Sequence, residues 1–258
     1  MPAFVTIKRK RFAPGSAAAS VTVVIALGLA LTSPLSAQAL RTDGPTSPAA
    51  ILVEGEAAKA ETVVMLTGLA AIERDMMLGI LFLNDGLVST VGSHFTHARQ
   101  ESLPLIKDGL AAAGIADFEP LLVALEGATD DDAVKAAEQA VMTAVLKAGS
   151  ALKPSDQDRI MAMVAGLKAA HDRFNAAGPT DAVDYQNGWA GLIVERGKVD
   201  LLMKSADPAV AKAATDLAVA LDDIILSLPD PATAAPVTFD PAPIAELLGQ
   251  ISALDASI

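Results

Sequence analysis

The stretch LAAIERDMMLGILFLNDGL, residues 69 to 87, decides the fold class. Within it Leu69, Ile72, Met76, Ile80, Leu83 and Leu87 recur at steps of three and four. That spacing puts the side chains on one face of an α-helix, so the run draws a continuous apolar stripe that must be core. Neither here nor elsewhere does the chain show sustained two-residue alternation rich in β-branched residues, so no sheet is expected. Helical periodicity begins near Ala49 and continues to about Leu83. Gly55, Gly68 and Gly79 interrupt it, each costing about 1 kcal/mol relative to alanine, and they predict a local bend.

Downstream, the chain reads as a series of capped helices. Gly86 to Gly114 is less regular; Ser102 is expected to cap a helix starting at Leu103-Pro104 and stopping at Gly114. Asp117 caps a short helix ending near Gly127. Asp130 opens the next, with Asp131 and Asp132 at the positive end of its dipole, and this helix runs to Gly149. Pro154-Ser155 begins a longer one, with Ser155 as cap and Asp158 completing a short-armed capping box. It ends near Gly178-Pro179. Thr180 or Asp181 caps the following helix, to about Lys204; Asp207-Pro208 starts another, and Asp240-Pro241 the last. Five prolines between Pro229 and Pro243 make an extended connector. After it, Ile244, Leu247, Leu248, Ile251 and Leu254 form an apolar face that should dock on the body. The expectation is an all-α bundle of about six to eight helices, as one domain over 40–258 or as sub-bundles over 49–149 and 154–258.

The first thirty-nine residues read as a cleavable signal peptide. Lys8, Arg9, Lys10 and Arg11 form a basic n-region, Ala17 to Leu31 an uncharged apolar h-region, and Ala37-Gln38-Ala39 an A-x-A cleavage site. Cleavage after Ala39 leaves a chain starting at Leu40, with cleavage after Ala37 as the alternative. A periplasmic or otherwise exported location follows. The apolar run is shorter than the roughly 20 residues of a spanning helix, so the processed protein is not expected to cross a membrane. Taking those four cations from 19 basic residues against 31 acidic ones moves the formal charge from −12 to −16. Such a surface repels nucleic acid and anionic lipid, and favours cations or basic partners. The absence of cysteine excludes disulfides, thiolate metal ligands and c-type haem attachment.

Chemistry-bearing residues are few. His94 and His97 lie in GSHFTHARQE, residues 92 to 101; on a helix, His94, His97 and Glu101 fall at i, i+3 and i+7 on one face, a workable set for a divalent or ferric ion. The alternative is two partly exposed histidines at a helix junction. His171 shares a stripe with Ile160, Val164, Leu167 and Phe174, and is expected in the core, with a distant third-ligand role as the alternative. Glu54, Glu61 and Asp75, with Glu73, either offer carboxylates to a cation or form a solvated face. Tyr185 and Trp189, the only tyrosine and tryptophan, sit at i and i+4. Such a pair anchors a core with its polar tips reaching outward, or lines a groove together with His171. No G-x-S-x-G elbow, phosphate-cradling glycine loop or H-E-x-x-H occurs, so nothing argues positively for an enzyme.

The segment Leu167 to Leu202, with AAHDRF (169–174) leading to DAVDYQN (181–187), resembles the helical periplasmic extension of some bacterial high-affinity iron permeases. Met77 to Glu101 is similar to exported proteins in which an M-x-G-H-L segment precedes H-x-x-H-P-x-x-E; here Ile80 stands for the first histidine and Ala98 for the proline. Gly92-x-His94-x-x-His97 resembles the G-x-H-x-x-E signature of imelysin-type exported helical proteins, with histidine in place of glutamate. These resemblances imply extracytoplasmic metal handling, iron above all, with His94, His97 and Glu101 as ligands and a periplasmic or membrane protein as partner. Beside that reading stand a metal-free interaction or scaffold module and, third, a degenerate metallopeptidase relative.

Overall fold

The computed structural model describes residues 48–84, 94–177, 182–232 and 239–255. Leu87, Gly92, the expected signal peptide, the chain start at Leu40, the Thr180 or Asp181 cap and the middle of the proline connector lie outside them. Every regular element among the described residues is helical: α1 (Pro48–Asn84), a π-helical turn (Ala98–Ser102), α2 (Leu103–Ala112), α3 (Glu119–Glu126), α4 (Asp131–Ala151), α5 (Asp156–Ala177), α6 (Ala182–Leu202), α7 (Pro208–Ser227) and α8 (Ala242–Asp255). The protein is an all-α bundle without a sheet in this part.

The caps follow the sequence closely. Asp130 accepts from the Ala133 amide at 2.9 Å, Asp207 from Ala209 at 2.7 Å and Asp240 from Ala242 at 2.9 Å. At the head of α5 the capping box closes in both directions: the Asp158 amide donates to Ser155 Oγ at 3.1 Å, and the Ser155 amide to Asp158 Oδ2 at 2.9 Å. Each bond satisfies an amide that the first helical turn would leave unpaired. Ser102 departs from expectation. It is buried, makes no capping bond and sits in helical conformation, because the π-helical turn runs straight into α2 and leaves no free end to cap.

α1 is the element around which the bundle is built, packing against the π-turn, α2, α4, α5 and α6. One stripe cannot serve so many neighbours, and the buried set is wider than periodicity suggests. Leu69, Ile72 and Met76 are buried as expected, but so are Leu78, Phe82 and the carboxyl-bearing Asp75. The helix is continuous through Gly68 and Gly79, so these glycines are not breaks. A Cβ at Gly79 would run into the Phe95 ring, and one at Gly68 into Ile106. Their lack of a side chain is what lets the neighbouring segment press against α1. One apolar cluster gathers α1 to α4; a second gathers α5 to α8. Trp189 packs against both.

Candidate functional site

The expected histidine site sits where the helical segment 94–97, just before the π-helical turn, meets α1. Phe95 and Ala98 anchor that segment in the first core cluster. Anchored so, His94 turns inward: it is 2 % exposed, its ring stacks on Phe82 at 5.7 Å between centroids, and neither ring nitrogen has a hydrogen-bond partner. Burial, followed by the fields of His97 and Arg74, pushes its pKa down to about 4, so the imidazole is neutral at neutral pH. His97 approaches edge-on, with ring centroids 6.0 Å apart. Two imidazoles sharing one ion have centroids about 5–6 Å apart, given a nitrogen–metal bond of about 2 Å.

Asp75 completes this corner from α1. It is fully buried; Oδ1 accepts from Arg74 Nη2 at 3.0 Å, and Oδ2 has no partner. Burial raises its pKa, against the lowering pull of Arg74. His97 and Glu101 stand near enough for their charges to act on its carboxyl. A solvated face, the commoner fate of such a residue, is therefore not what α1 gives Asp75. Its position three residues after Ile72 and next to Met76, inside the densest apolar run, is the sequence signal for that burial.

Glu101 does not share a face with His94. It is exposed while His94 is buried, because the chain between them passes into the π-helical turn, whose wider winding breaks the i, i+7 alignment of an α-helix. Among the described residues no three histidine, aspartate or glutamate side chains converge tightly enough to hold an ion as they stand. A histidine pair and a buried carboxylate are assembled side by side; a closed ligand sphere is not.

His171 is displaced from the core position expected of it. Its side chain is 22 % exposed and contacts Asn175 and Asp172, because Ala170 and Phe174 take the buried places on that face of α5. Tyr185 is fully buried, packs edge-on against Phe174 at 5.7 Å and donates its hydroxyl to the Pro229 carbonyl at 2.5 Å. Trp189 is partly buried between the two clusters. Neither Tyr185 nor His171 thus lines a common groove with it.

A second site was not legible in the sequence. Between α1, α4, α5 and α6 lies a cavity of about 200 Å³, lined by apolar side chains such as Leu69, Val145 and Met163 and by Arg159, Glu195 and Lys198. Glu195 is 4 % exposed, and Lys198 is the cation that acts on its carboxyl. Burial, only partly offset by Lys198, lifts its pKa to about 8. A Cβ at Gly166 would overlap the Glu195 carboxyl, so a glycine on α5 makes the room this side chain occupies. Lys198 pairs with Glu73 of α1. Glu195 lies on the same helix as the half-buried Asp184 and the exposed Asp200, and only the packing of four helices sets it apart from them.

Compared with known proteins, the chain matches no family model, no curated sequence and no solved structure.

Proposed function

We propose that this chain is an exported helical binding protein that takes up a transition-metal ion, iron foremost, at the corner formed by Asp75, His94 and His97. The observation that carries the reading is the buried His94 imidazole, both of whose nitrogens lack partners, together with the buried Asp75 carboxylate, which has a free oxygen and feels the charge of His97. An unpaired buried polar group costs about 1–3 kcal/mol, and a bound cation would remove that cost. Imidazole with carboxylate suits zinc, iron, copper or manganese. Because the side chains do not already converge, binding requires His97 or Glu101 to swing inward. The basic n-region, apolar h-region and A-x-A site support export, as does the acidic composition a preference for cations.

Thermal unfolding with chelator, then with added iron, copper, zinc or manganese, tests the reading against a His94→Ala/His97→Ala double variant. An ion at a hundred times its Kd adds about 2.7 kcal/mol of stability. The expected result is a raised midpoint with one metal in the wild type and none in the variant. If no metal moves the wild type, the site is structural, and the interaction-module reading takes its place.

A further inference from the structure

The cavity between α1, α4, α5 and α6 is separate from the histidine corner and raises a different question. It has room for a small organic molecule: about 200 Å³, where roughly 150 Å³ suffices for benzene. Its rim is open, since the lining residues Leu146 and Leu201 are 59 % and 47 % exposed. Most of its wall is hydrocarbon, which would hold the body of a ligand by apolar burial.

The polar groups indicate the sign of the ligand's head. In a chain of formal charge −12, this lining carries two cations, Arg159 and Lys198, and one carboxyl, Glu195. Lys198 is already paired with Glu73, whereas Arg159 forms no ion pair among the described residues. Glu195 is more than nine-tenths buried and lines the cavity, which places a hydrogen-bonding group at an apolar site. With Glu195 protonated, Arg159 and Lys198 outweigh the Glu73 carboxylate that pairs with Lys198; ionising Glu195 cancels that excess. The charged groups acting on Glu195 are Lys198 from its own helix and Glu73 from α1; Arg159 of α5 shares the cavity lining, to which α4 adds one polar side chain, Ser150. Kept protonated by burial, Glu195 supplies an O–H donor to an anion rather than repelling it.

We propose that this cavity binds a small apolar monocarboxylate, with its hydrocarbon body against Leu69, Val145 and Met163 and its carboxylate facing Arg159, Lys198 and Glu195. An apolar body of about six to ten carbons fits the volume. Arg159 is the specificity determinant, because a guanidinium offers a carboxylate two parallel donors.

Isothermal titration calorimetry of the purified chain in chelator, so that no metal site contributes, compares octanoate, octylamine and octanol as probes. Octanoate is expected to bind saturably and at least about ten-fold more tightly than either other probe. Arg159→Met should weaken octanoate by about ten- to hundred-fold, the loss of the charge-assisted contact to the guanidinium, with an unchanged melting midpoint. Octanoate binding should also weaken as pH rises above about 8, where Glu195 ionises, and Glu195→Gln, which keeps a neutral donor, should abolish that dependence. Equal binding of octanol, preference for octylamine, an Arg159→Met variant that binds octanoate normally, or no binding of octanoate would each overturn the proposal. Because chelator is present throughout, none of these outcomes bears on the histidine corner.

Discussion

Glu195 shows what one residue can store. Its folded pKa of about 8 stands above the ordinary 4.5, so between those values the folded protein holds a proton that the unfolded chain has released. The stability that Glu195 contributes is therefore greatest below about pH 4.5, falls as pH rises towards 8 and levels above it. Glu195→Gln removes the titration. In melting experiments across that window the variant should show a flatter midpoint profile than the wild type, and above pH 8 it should be more stable by about 1–3 kcal/mol. Parallel profiles would mean that the carboxyl is hydrated in solution. At this same scale the candidate metal ligands were half legible. His94 and His97 were singled out by rarity and spacing, and Asp75 as one of several carboxylates on the first helix. That Asp75 is buried while Glu61 is exposed depends on which neighbours α1 receives, which its own periodicity does not specify.

Elements follow local chemistry more directly. Asp130, Asp207, Asp240 and the Ser155–Asp158 pair each begin a helix where their side chains satisfy orphan amides, and such bonds span three residues or fewer. The α4–α5 connection holds a less comfortable residue. Lys153 has φ of 47°, left-handed backbone in which a Cβ crowds the carbonyl, and Pro154 behind it disfavours the α region at that position. Lys153→Gly should stabilise the protein by about 0.5–1 kcal/mol in urea unfolding, the relief of strain less the entropy glycine adds to the unfolded chain. A loss of stability would show that the lysine stem packs usefully where it lies. The π-helical turn after His97 is the element that local reading missed. Its register comes from Ala98 and Ser102 both being drawn into the core against α1, and no cap or breaker in ARQES announces it.

On the scale of the whole bundle, α1 joins the two apolar clusters by packing against α4 on one side and α5 and α6 on another, and Trp189 touches both clusters. The bundle is thus expected to unfold as one unit. Trp189 fluorescence and far-UV circular dichroism should give coincident urea transitions, whereas a dichroism change that precedes the fluorescence change would mean two separately folding sub-bundles. The sequence by itself determined the helical class, most helix starts and the pairing of His94 with His97, because periodicity, caps and short spacings act within a turn or two of chain. Only the tertiary structure decided that Asp75 and Glu195 are buried, that Glu101 faces away from His94, that His171 lies at the edge, and that a cavity opens beside Arg159. Burial is a property of what other helices bring to a surface, and those neighbours lie tens of residues away in the chain.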